Sequence, residues 1–139
     1  MVSYTAQLTP VPDSGYVISF RDIPEALSQA DSLEDACAMA PDALATAIEF
    51  YLDGKRPVPQ PSKLLPGEEL VNPPLVMAAK VALANQMLAE RVRPADLARA
   101  LGVSPQQVTR LLNLRHKTDI QTVADGFAAL GRRLELSVV

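Results

Sequence analysis

Apolar and polar positions alternate at the start of the chain. Val2, Tyr4, Ala6 and Leu8 fall on one side and Ser3, Thr5 and Gln7 on the other, the two-residue period of a half-buried strand. Pro10, Pro12, Asp13, Ser14 and Gly15 form a turn cluster. Tyr16 to Phe20 is a second strand-forming run, so the pair predicts a β-hairpin. Ala26 to Ser28 offers a third strand and Leu70–Val71 a returning one. From Ser32 the period becomes helical: Leu33, Ala36, Cys37, Ala40, Leu44, Ala47, Ile48 and Tyr51 recur up to Gly54. Ser32 is a good N-cap, with Asp35 at the third helical position as a weak capping-box partner. Pro41 lies inside this run and withholds a bond from the carbonyl of Cys37, so a kink or a break near Met39–Ala40 is expected. Cys37 itself is expected to be a small core residue.

The second half is helical throughout. Val76, Ala79, Leu83, Met87 and Leu88 give Leu75 to Glu90 its period. Pro94 opens the next helix at its first position and Gly102 closes it in a left-handed turn. Ser104 caps the helix after that, with Pro105 at its first position and Gln107 completing a capping box. Ala98, four residues before Gly102, leaves room for two helices to cross, and Val108 and Leu111 face inward. This is the spacing of a helix-turn-helix. A fourth helix starts at Asp119 and ends at Gly131. Leu134, Leu136 and Val138 then alternate with Glu135 and Ser137, predicting a terminal strand. Such a strand needs an edge to pair with. Either the same strand of a second copy supplies it across a twofold axis, or the sheet of the first half does.

Prolines divide the two patterns. Six of the twelve in the chain lie between Pro57 and Pro74, too many for a helix. The expected organisation is α+β: a small domain over 1–56, a proline-rich linker over 57–69 with a short strand near 69–72, and a helical domain over 75–139. Charge divides at the same place. Residues 1–69 carry eleven acids and four bases; residues 70–139 carry nine bases and five acids. The formal net charge of -3 therefore hides a -7 half and a +4 half. A basic half suits a phosphate backbone and an acidic one a basic partner.

Composition removes several classes of function. The chain is 48% apolar, so a folded core is expected. One cysteine excludes an intrachain disulfide, and one histidine excludes a two-histidine metal centre. No apolar run reaches the length of a membrane span and the first residues lack a signal-peptide pattern, so a cytoplasmic protein is expected. No cofactor is called for. Neither half has a catalytic constellation: the acids of the first half sit in turns and at a helix start, where acids are common structurally. The informative positions are on the helix after Ser104. Gln106, Gln107 and Arg110 have the donor and acceptor patterns that read adenine and guanine edges. Thr109 suits a phosphate or a thymine methyl, and Asn113 lies on the same face. Arg115, His116 and Lys117 follow the helix as candidate backbone clamps.

Taken together, these segments resemble the HicB family of type II antitoxins, in its helix-turn-helix branch. The resemblance rests on Tyr4 to Leu8, on Gly15-Tyr-Val-Ile-Ser-Phe20, and on Asp22-Ile-Pro-Glu-Ala-Leu27. It continues through Ser32 to Ala36, Asp42 to Leu44, Glu49 to Tyr51 and the Arg56 to Ser62 linker, and then over Leu75–Leu114 and Leu130–Val138. It implies a truncated ribonuclease-H-like first domain without catalytic carboxylates. That domain would bind a small basic HicA-type toxin that cleaves mRNA, and Asp22, Glu25, Asp31, Glu34 and Asp35 are its candidate contacts. The second domain would bind operator double-stranded DNA and repress its own operon, as a dimer or a tetramer. The alternative is a stand-alone repressor whose first domain senses a ligand or only oligomerises.

Overall fold

The computed structural model describes residues 3–138; the Val2 position of the first strand lies outside them. The chain forms two compact units that divide between Pro73 and Pro74.

The first unit is an antiparallel sheet with one helix on it. β1 (Tyr4–Val11), β2 (Gly15–Phe20), β3 (Leu27–Ala30) and β4 (Glu68–Val71) stand in the order β3-β2-β1-β4. The hairpin register pairs Val11 with Gly15 and Ala6 with Phe20. Its turn is closed by Ser14 N–H donating to the carbonyl of Val11 at 3.1 Å. Gly15 serves two demands at once. Its φ is +80°, and a Cβ there would lie 2.1 Å from the carbonyl oxygen of Ala30. Only glycine lets the turn close while β3 lies alongside. The third strand thus runs Leu27–Ala30, slightly later than Ala26–Ser28.

Helix α1 (Leu33–Asp53) covers the face that carries Ala6, Ile18 and Phe20, all buried. The Ser32 hydroxyl caps it by accepting from the N–H of Asp35 at 3.1 Å. Of the kink or break expected near Met39–Ala40, the break does not occur, since the helix runs unbroken through Pro41. Ala36 and Ala40 lie before the proline, and Leu44, Ala47, Ile48 and Tyr51 after it, on one buried stripe. Ending the helix at Met39 would take one half of that stripe off the sheet, a larger loss than one missing hydrogen bond. Cys37 is likewise corrected: it is exposed, one step round the helix from buried Ala36.

Residues 57–69 lie against this unit. Val58 is buried, and the Tyr4 hydroxyl donates to the carbonyl of Pro59 at 2.7 Å. Asp22 accepts from both the N–H and the hydroxyl of Ser62. Arg21 donates to Glu68 at 3.0 Å and to the carbonyl of Lys63 at 2.8 Å, pinning the approach to β4.

The second unit comprises α2 (Leu75–Ala89), α3 (Pro94–Leu101), α4 (Pro105–Leu112) and α5 (Ile120–Ala129). Its core joins Leu83 and Met87 of α2, Leu97 and Ala98 of α3, Val108 and Leu111 of α4, and Val123 and Phe127 of α5. The expected terminal strand is absent among the described residues, for 132–138 join no ladder and the sheet contains none of them. Leu134 packs on the helical core, while Leu136 is 74% and Val138 96% exposed. A strand exists only with a hydrogen-bonding partner, and this segment has none among the described residues.

Candidate nucleic-acid interface

The second unit builds an exposed polar face from local rules. Gly102 takes the left-handed conformation, φ +67°, and turns the chain sharply out of α3. Val103 N–H donates back to the carbonyl of Ala98 at 3.0 Å. Ser104 and Gln107 then cap α4 reciprocally. The serine hydroxyl accepts from Gln107 N–H at 3.3 Å, and the glutamine Oε1 accepts from Ser104 N–H at 3.2 Å. With Val108 and Leu111 fully packed inward, the opposite side of α4 must face out.

Gln106, Gln107, Thr109, Arg110 and Asn113 are all exposed there, and Arg115, His116 and Lys117 continue the surface beyond the helix. Their side chains are not equally free to reach a ligand. Gln107 Oε1 is held by the cap, so a bidentate contact from Gln107 would have to open it. Thr109 Oγ1 donates to the carbonyl of Pro105 at 3.1 Å. Asn113 Oδ1 accepts from Arg115 N–H at 2.9 Å and shapes the turn after α4. Gln106 and Arg110 are the long polar side chains that project from α4 away from the cap.

Beneath this surface lies a residue that sequence reasoning missed. Lys80 of α2 is 1% exposed. Its ammonium donates to the carbonyls of Arg110 at 3.3 Å, Asn113 at 2.8 Å and His116 at 2.8 Å. A lysine has three donors, and here each has a main-chain acceptor at the negative end of α4 or just beyond it. Burial pulls the Lys80 pKa below the ordinary lysine value. A signal was present in the sequence, because Lys80 is the sole charged residue in the α2 segment.

The acidic candidates of the first unit separate in the same way. Asp22 holds Ser62. Glu25 accepts from the Tyr51 hydroxyl, which holds its carboxyl below the usual range and raises the phenol. Asp31, Glu34 and Asp35 are exposed around the start of α1, and Asp31 and Asp35 line an open cleft with Met39. Among the described residues no group of three or more His, Cys, Asp or Glu side chains could hold a metal ion. No helix among them is long and apolar enough to cross a membrane.

Residues 3–82 match a family model described as the HicB-like antitoxin of bacterial toxin–antitoxin systems. The class is therefore that of antitoxins, which act by binding and not by catalysis. Antitoxin HicB 2 of Photorhabdus laumondii is 46% identical over 127 residues, covering 91% of this chain and 90% of its own. Antitoxin HicB of Escherichia coli K12 is 42% identical over 136 residues, covering 98% and 99%. Antitoxin HicB of Pseudomonas fluorescens is 37% identical over 142 residues, covering 99% and 94%. The chain belongs to the HicB family of antitoxins.

Proposed function

We propose that the chain neutralises a HicA-type mRNA-cleaving toxin by direct binding and represses its own operon by sequence-specific DNA binding. In this reading the first unit is a truncated ribonuclease-H-like domain; its four-stranded antiparallel sheet with one covering helix supports that assignment. Its exposed acids Asp31, Glu34 and Asp35 suit a basic toxin. Asp22 and Glu25 serve mainly to hold the unit's own loops and helix. Helices α3 and α4 act as a helix-turn-helix, with α4 as the recognition helix.

The observation that carries the DNA half is the outward face of α4 running into the Arg115–Lys117 loop. Gln106 and Arg110 read base edges, each good pair giving about 1–3 kcal/mol of discrimination. Arg115 and Lys117 contact phosphates. Self-association through the exposed Leu136 and Val138 segment, as a dimer or a tetramer, would bring two such helices onto half-sites about 34 Å apart.

Fluorescence anisotropy on the protein's own promoter fragment and on a scrambled duplex tests the DNA half. Gln106→Ala and Arg110→Ala should weaken promoter binding and leave scrambled DNA nearly unchanged. Arg115→Ala with Lys117→Ala should weaken both and lower the salt slope by about two. Equal binding of both duplexes by the wild-type chain would end the claim of sequence-specific repression.

A further inference from the structure

We propose that buried Lys80 is a positioning residue for DNA binding: it ties the end of α4 to the basic 113–117 loop so that Arg115 and Lys117 meet the phosphate backbone together. The proposal rests on the DNA-binding role given above. Three carbonyls from residues 110, 113 and 116 converge on one ammonium. They span the last turn of α4 and the whole approach to the clamp. Helix ends leave their last carbonyls unpaired, and water or a cap must satisfy them. Here the cap comes from another helix, so α2 sets where the turn after α4 lies.

Local bonds finish the turn. Asn113 Oδ1 accepts from Arg115 N–H, His116 N–H donates to the carbonyl of Asn113 at 3.2 Å, and Thr118 Oγ1 donates to the carbonyl of His116 at 3.3 Å. The carbonyls of Asn113 and His116 are thereby directed into the unit, while the Arg115, His116 and Lys117 side chains stay exposed on its surface. Lys80 Nζ is itself buried and cannot touch a phosphate, so its effect on DNA must pass through this loop. A charge out of water is costly unless its hydrogen bonds are made, which gives the three-carbonyl seat a reason to stay closed.

The test is a salt titration of promoter binding by the full chain, read as the slope of log affinity against log salt. Lys80→Met keeps the unbranched apolar stem of the side chain and removes its donors. Lys80→Gln, which keeps two N–H donors, is measured beside it in case the methionine variant does not fold. Lys80→Arg restores the charge. The slope should fall by about two in the methionine or glutamine variant and return toward wild type in the arginine variant. When Arg115→Ala and Lys117→Ala are already present, changing Lys80 should lower the slope no further, because the groups it positions are gone. A wild-type slope in Lys80→Met and Lys80→Gln, or the same loss in both backgrounds, overturns the positioning role alone. Absence of salt-dependent DNA binding by the wild-type chain overturns the DNA-binding role and the positioning role with it.

Discussion

Pro41 withholds an N–H from the carbonyl of Cys37 in the middle of a helix that stays continuous from Leu33 to Asp53. An interior proline costs about 3 kcal/mol relative to alanine, partly offset by the freedom it removes from the unfolded chain. Pro41→Ala should therefore stabilise the protein by about 2 kcal/mol, seen as a higher urea midpoint at unchanged m-value. An unchanged midpoint would mean the helix accommodates the ring without cost. Tyr4 is a second residue with a measurable consequence. Burial first, and the negative charge of Asp22 after it, push its hydroxyl pKa from 10 to about 12. The folded state thus favours the protonated phenol that donates to Pro59. Its contribution is whole below pH 10 and is lost as pH rises from 10 to 12. Tyr4→Phe should remove that alkaline decline in stability over this window; an identical decline in the variant would show that Tyr4 is not its source.

At the scale of elements, most of what could be read from the sequence came from punctuation. Gly15, Ser32, Pro94, Gly102 and Ser104 each impose a local geometry, and each stands at an element boundary in the structure. Ser104→Ala should cost about 1 kcal/mol by removing the α4 cap, measured by denaturation. The bond from the residue-104 N–H to Gln107 Oε1 should survive, since its donor is main-chain. No loss of stability would mean that α4 is held by Lys80 and the core alone. Three features were not legible. Cys37 follows a helical period loosely, but only packing decides which edge of a stripe is covered. Leu136 and Val138 alternate like a strand, yet a strand is a property of two segments. Lys80 meets its carbonyls 30 to 36 residues away, a pairing that no local pattern contains. Its cue was a single charge in an apolar helix, which reads as solvent-facing until the fold shows otherwise.

At the scale of the molecule, the chain is two units of different construction, an antiparallel sheet with one helix and a four-helix unit. The formal charge of -3 is small because opposite balances cancel across the proline-rich stretch. An antitoxin that also binds its operator needs this division, for a basic toxin and a polyanion are drawn by opposite charges. Family membership provides the antitoxin role, and in the proposed reading the exposed acids near the start of α1 meet the basic toxin. The most direct measurement is to mix the full chain with the HicA-type toxin proposed as its partner. Complex mass is then read by light scattering, and mRNA cleavage is followed in the same samples. A stable complex should form and cleavage should stop once the antitoxin is in excess. No complex, with cleavage continuing at full rate, would contradict the account.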